Sequence, residues 1–388
     1  MAVTLGSTRL LASGALQGRQ VGIVSNPASV DASYAHISDT LAQTPGITLG
    51  AIFGPQHGFR SDVQDNMIET PHANDCRRKV PVFSLYSETR EPTADMLRHI
   101  DVIVIDLQDI GARIYTYIYT MANCLRACAK HGVDIIVCDR PNPIGGVDVE
   151  GPMLVPGNES FVGQFPIPMR HGMTIGELAR FFNEYFEIKA PLTVIDMEGW
   201  SRSQYFDQTG LPFVMPSPNI PTLDSAIVYP GTVLFEGTNA SEARGTTRPF
   251  ELVGAPWVEA ELFAQTMNAR KLPGVHFRAA VFEPTFQKHA KKTCGGCQIH
   301  VVDRHAFKPV LTGVALIDAI KAAGPKDFAW RRPPYEYEHE KEPIDILAGS
   351  PAMREALDAG KTAEDLVPIW EHESKPFEKV RAEYLVYS

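Results

Sequence analysis

The run Asp101–Leu107, DVIVIDL, constrains this chain more than any other stretch. Its centre does not alternate polar with apolar residues, so a strand made of it must be covered on both faces. That is the situation inside a parallel sheet flanked by helices. Comparable short runs recur at Gln20–Ser25 (QVGIVS), Ile47–Phe53, Val80–Leu85, Val133–Cys138 (VDIIVC) and Leu192–Met197. Helical spacing marks Ala32–Ala42, Thr93–His99, Tyr115–His131 and Thr174–Phe186, the last opened by a capping box of Thr174 and Glu177. Strand–helix alternation of this kind predicts an α/β fold with a Rossmann-like parallel sheet.

The rhythm changes after Trp200. Pro212–Pro256 is rich in Pro, Gly, Ser, Thr and Asn, yet carries Trp, Phe, Glu and Arg inside it. It reads as an ordered crossing segment with a short strand at Ala226–Phe235. Beyond it, Trp257–Asn268 and Val310–Ala323 read as helices, His276–Phe282 and Gln298–Val302 as strands, and Ala363–Tyr387 as largely helical. The expectation is two units, 1–227 and a smaller α+β unit, 228–388, in keeping with a length of 388 residues.

Several function classes are disfavoured. The formal charge is −10 and no Lys/Arg-rich block exists, so nucleic acid is a poor partner. No window reaches the roughly 18–20 apolar residues of a spanning helix, and the N-terminus lacks the form of a signal peptide, so neither membrane nor secretion is expected. Six cysteines (76, 124, 128, 138, 294, 297) are too sparse for a disulfide framework, which suits the cytoplasm. No G-x-G-x-x-G opens a helix after a strand and no Walker sequence exists, so no cofactor is expected, and the absence of G-x-S-x-G removes the easiest serine hydrolase reading. His289, Cys294, Cys297 and His300 have a spacing that could hold zinc, but Gly295-Gly296 between the cysteines reads better as a hairpin turn, and no metal is expected.

In open parallel sheets, ligands bind outside the carboxyl ends of the strands. Here four strand ends carry dense polar clusters in Pro/Gly turns: Ser25-Asn26-Pro27, Gly54–Arg60 (GPQHGFR), Asp106–Arg113 (DLQDIGAR) and Asp139–Gly146 (DRPNPIGG). Asn26, His57, Asp106, Asp109, Arg113, Asp139, Arg140 and Asn142 are thereby candidates. For Asp106 a pairing with Arg113, and for Asp139 a brace with Arg140, are equally compatible readings. Glu236, Glu242, Arg244 and Arg248 in the crossing segment suggest a charged, ligand-facing surface.

These motifs carry a resemblance. SNPASVD at 25–31, FGPQHGFR at 53–60, LQDIGARIYTYIYTM at 107–121, DRPNPIGG at 139–146, RHGMTIGELA at 170–179, PSPNIPT at 216–222 and EGTNASEARGTTRPFE at 236–251 resemble the NamZ family of exo-β-N-acetylmuramidases. The resemblance implies a Rossmann-like N-terminal domain, a smaller C-terminal domain and a cleft between them. It also implies a glycoside hydrolase that releases terminal N-acetylmuramic acid from peptidoglycan fragments. The implied catalytic set is position 56, His57, Asp109, Glu236 and Glu242. The implied substrate-binding set is Asn26, Arg60, Asp106, Arg113, Asp139, Arg140, Asn142, Asn219, Asn239 and Arg244. Arginines suit an anionic sugar, because muramic acid carries a lactyl carboxylate that a guanidinium can grip with two bonds.

One departure matters. The family motif commonly reads Pro-Glu-His-Gly, its Glu being the favoured acid, whereas this chain has Gln56. A carboxamide cannot deliver a proton to a leaving oxygen. Asp65 and Glu69, in the QDNMIE stretch, are candidates to return a carboxylate to the site. The competing readings are a carbohydrate-binding protein that lost the acid, or an enzyme acting on another anionic small molecule.

Overall fold

The computed structural model describes residues 3–65 and 67–388. Its main sheet has seven strands: β1 (Gln20–Ser25), β2 (Thr48–Gly54), β3 (Ala73–Asp75), β4 (Val80–Ser84), β5 (Val102–Asp106), β6 (Asp134–Cys138) and, after a detour, β9 (Leu192–Ile195). Their order is β3-β4-β2-β1-β5-β6-β9, and every neighbouring pair is parallel except β3 with β4. The detour holds a small antiparallel pair, β7 (Glu150–Met153) and β8 (Pro168–Arg170).

β5 is the both-faced strand that its sequence demands. Val102 and Val104 join one apolar cluster with Val21, Ile23 and Leu41, while Ile103 and Ile105 join another with Phe53, Ile135 and Val137. All four residues of β5 from 102 to 105 are fully shielded from water. The capping box at Thr174 and Glu177 forms and opens the helix Ile175–Tyr185.

The second unit is built on a three-stranded antiparallel sheet, β10 (Leu252–Ala255), β11 (Val275–Phe282) and β12 (Cys294–Val301), in the order β10-β12-β11. Two readings are corrected here. Ala226–Phe235 is not a strand but the helix Leu223–Thr232 running into a 3-10 turn, Val233–Gly237. Its β-branched run is buried on every side, a state in which periodicity cannot separate helix from strand. The crossing with the helix Pro309–Ala323 is very close. A Cβ on Gly231 would lie 1.8 Å from the Pro309 carbonyl oxygen, and one on Gly313 2.3 Å from that of Gly231.

The second correction is Gly295-Gly296, which form no hairpin turn but lie inside β12, where Ala255 and Gly254 face them in turn. A Cβ on Gly296 would meet the Val253 carbonyl oxygen at 1.9 Å, so the glycines serve strand packing. Cys297 is buried in the core and His300 faces His276 across the strands. Among the described residues no group of three or more His, Cys, Asp or Glu side chains is placed to hold a metal ion.

The two units share one continuous apolar cluster, running from Val24 and Ile105 to Val310, Leu347 and Trp370. The chain's end returns to the first unit: the Tyr387 hydroxyl donates to Asp139 at 2.5 Å and the Val386 N–H donates to Glu177 at 2.8 Å.

Candidate active site

β2 ends at Gly54, where a Cβ would meet the Phe59 amide nitrogen at 2.7 Å, so the following loop folds directly back over the strand. His57 and Gly58 take left-handed backbone angles in succession, φ 69° and 82°. For histidine this costs free energy, the kind of strain found where a side chain is held for use. The fold-back turns Gln56 inwards. Its Oε1 accepts from the Thr116 hydroxyl at 2.6 Å, and its Nε2 donates to the Tyr86 hydroxyl at 3.2 Å and to Glu336 at 3.4 Å. His57 donates from Nδ1 to the Val63 carbonyl at 2.8 Å, which leaves Nε2 as an acceptor. Burial, reinforced by the positive charge of Arg244, pulls its pKa down to about 4, so the ring is neutral at pH 7.

The opposite wall comes from the second unit. The 3-10 turn presents Glu236, whose carboxylate takes Arg244 Nη2 at 2.6 Å and the Tyr335 hydroxyl at 2.7 Å. Burial works to raise its pKa, but Arg244 and the Tyr335 hydrogen bond outweigh that and hold Glu236 below the ordinary value. Glu242 stands behind, 3.5 Å from Arg244 Nε and 2.5 Å from Lys288 Nζ. Arg244 Nη1 is buried with no hydrogen-bond partner among the described residues.

Glu336 completes the wall. It is buried and lines the same cleft, with the Tyr86 hydroxyl donating to its Oε2 at 3.0 Å and Gln56 reaching Oε1. Burial, and then the negative charge of Glu236, push its pKa up to about 7, against the pull of its hydrogen bonds and of Arg244. Glu336 and Tyr337 both have left-handed backbones, φ 45° and 69°. The cleft, about 490 Å³ with its open mouth included, is also lined by Thr116, Tyr229 and Phe250.

Of the residues expected from sequence, Gln56, His57, Asn219, Glu236 and Arg244 line this cleft. The others lie outside it, engaged elsewhere. Asn26 braces loops through the Gln108 and Pro216 carbonyls. Asp106 grips Arg140 at 2.6 and 3.2 Å in a buried ion pair that braces the strand ends. Asp139 accepts from Thr174, Tyr387 and the amides of Arg140 and Gly176. Asn142 holds the Met173 carbonyl, Asn239 holds the Asp327 carbonyl, and fully buried Arg113 reaches across to the Leu347 carbonyl. Asp109 accepts from the Gly111 amide and faces His171 at 3.7 Å, with burial raising its pKa to about 7. Arg60 is exposed, 4.0 Å from Asp75. Asp65 contacts Gln287 and Glu69 lies 3.5 Å from Arg90, so neither carboxylate lines the cleft; Asn66 between them lies outside the described residues.

Sequence reasoning missed Glu336, Tyr335, Tyr86 and Thr116. The one available signal was the stretch RRPPYEYEHE at 331–340, where acids interleave with tyrosines just after two prolines.

Comparison with known proteins adds a second line. The N-terminal profile of the exo-beta-N-acetylmuramidase NamZ matches residues 21–224, and its C-terminal profile residues 227–387. The chain is 46% identical over 372 residues to the peptidoglycan beta-N-acetylmuramidase NamZ of Bacillus subtilis, covering 96% of this chain and 88% of that protein. Two crystal structures of DUF1343 family proteins from Bacteroides fragilis superpose on it. One has a TM-score of 0.90 at 34% identity and the other 0.76 at 27%, each match covering 100% of this chain and 99% of the other.

Proposed function

We infer the function of this chain from its family: it belongs to the exo-β-N-acetylmuramidases of the NamZ type, matched through both units. It is a glycoside hydrolase that releases terminal N-acetylmuramic acid from peptidoglycan fragments, with a carbohydrate as its substrate. The observation that carries this is a polar cleft holding two buried carboxyl groups, Glu236 and Glu336, beside an arginine.

The division of labour follows the proposed units. Residues 1–227 supply Gln56, His57 and Asn219; residues 228–388 supply Glu236, Arg244 and Glu336. His57 Nε2 accepts a sugar hydroxyl, and Arg244 Nη1 receives the lactyl carboxylate of muramic acid. Glu236, held ionised, faces the positive charge that develops at the anomeric carbon as the glycosidic bond breaks. We place the protein in the cytoplasm, as six free thiols, five of them buried, suit a reducing compartment. No helix among the described residues is long and apolar enough to cross a membrane.

The test is incubation with a disaccharide carrying N-acetylmuramic acid at its non-reducing end, alongside the N-acetylglucosamine analogue. Release of free muramic acid from the first and little sugar from the second is expected. If neither sugar is released while both bind, the cleft belongs to a carbohydrate-binding protein.

A further inference from the structure

Position 56 lines the cleft with a carboxamide, which has no proton to give, so the source of the leaving-group proton must be sought among the other groups lining it. His57 is a poor donor, because its Nδ1–H is committed to the Val63 carbonyl and Nε2 carries only a lone pair. Glu236 is tied to Arg244 and Tyr335 in its ionised form. The tyrosines 115, 229 and 335 are buried, and burial pushes each hydroxyl far above its ordinary value, away from proton transfer near neutrality. One carboxyl remains.

We propose that Glu336, delivered by the second unit, is the proton donor to the glycosidic oxygen, and that Gln56 and Tyr86 of the first unit are its positioning residues. The proposal rests on the hydrolase reading above. Its geometric basis is that Glu336 lines the cleft, with one oxygen fixed by the Tyr86 hydroxyl at 3.0 Å. The other lies 3.4 Å from the Gln56 carboxamide. Residue 56 thus orients the acid instead of being the acid.

In the step itself, the bond from the anomeric carbon to the leaving oxygen breaks and its electron pair stays on that oxygen. The oxygen takes the Glu336 proton. A water oxygen then bonds to the anomeric carbon, and one water proton returns to the Glu336 carboxylate, restoring the enzyme. The charged and titratable groups facing Glu336 are Glu236, Arg244, Tyr86, Tyr229, Tyr335 and Tyr337. Within that set Glu236 opposes ionisation of Glu336, and Arg244 and Tyr86 favour it. Two carboxyl groups whose surroundings drive them apart are the usual arrangement of an acid and its anionic partner.

The test compares wild type with Glu336→Gln on two muramic acid glycosides, one with a sugar leaving group and one with dinitrophenol, which departs without protonation. Loss of about a hundredfold or more in kcat/KM on the sugar glycoside, and less than about tenfold in kcat/KM on the dinitrophenyl one, is expected. Equal losses on both, or wild-type rates on the sugar glycoside, would overturn the assignment. Tyr86→Phe gives an independent reading through the pH profile. Removing a hydrogen bond to the charged carboxylate moves the alkaline limb of kcat to higher pH, and an unmoved limb counts against Glu336. Wild type inactive on both glycosides would instead sink the hydrolase reading.

Discussion

Gln56→Glu tests how the cleft handles a second acid where the family's motif carries one. The new carboxyl would sit where the carboxamide now lies, 3.4 Å from Glu336. Two full charges at that separation, in a medium of effective dielectric constant about 20, repel by about 5 kcal/mol. The pair avoids this by sharing a proton, so its last deprotonation moves up by as much as about three and a half pH units. Glu336 alone has a pKa raised to about 7, so a reaction that needs it protonated is fastest below that value and fails as pH rises through it. In Gln56→Glu the alkaline limb of kcat therefore moves upward, while the rate near pH 6 stays within about threefold of wild type. Initial-rate profiles from pH 4 to 10, on a glycoside with a sugar leaving group, read both quantities. A gain of a hundredfold or more across the whole range would refute the reasoning. It would mean that wild type has no working donor and that a carboxyl at position 56 supplies the missing one.

Arg244→Ala removes the charge that holds Glu236 ionised, so the Glu236 pKa rises and the acidic limb of kcat moves to higher pH. The same variant should lose about tenfold to a hundredfold in affinity for an acidic sugar and less for its neutral analogue, read by calorimetry. Equal losses for the two sugars would show that Arg244 only braces Glu236. Arg140→Ala leaves Asp106 buried without its cation and should cost about 3–5 kcal/mol in urea unfolding, while any molecules that remain folded retain their sugar affinity. Gly231→Ala forces a methyl group to within 1.8 Å of the Pro309 carbonyl oxygen and should destabilise by at least about 1–3 kcal/mol, seen as a lower Tm. An unchanged Tm would mean that the two helices separate at little cost.

What the sequence determined by itself is whatever depends on neighbours along the chain. DVIVIDL could be satisfied only between two covered faces, and Val102–Ile105 are shielded on both. Thr174 and Glu177 stand at the spacing of a capping box, and they form one. Polar turns follow β1, β2, β5 and β6 at the carboxyl edge of the sheet, but of those clusters only the β2 turn sends its side chains, Gln56 and His57, into the cleft. What only the tertiary structure decided is which of those polar groups face the cleft and which satisfy one another. Asp106 and Arg140, 34 residues apart, both look like ligand contacts in sequence, yet they are each other's partner. Buried charges must be paired, and the pairing is a matter of three-dimensional neighbours that no spacing encodes. The helix Leu223–Thr232 was unreadable for a related reason: enclosed on all sides, its residues lose the polar face that would have shown its period. Gln56 and Glu336 are 280 residues apart, and no local pattern announces that one will lie against the other. Their meeting depends on the second unit packing across the mouth of the first, through a core that runs unbroken from Val24 to Trp370.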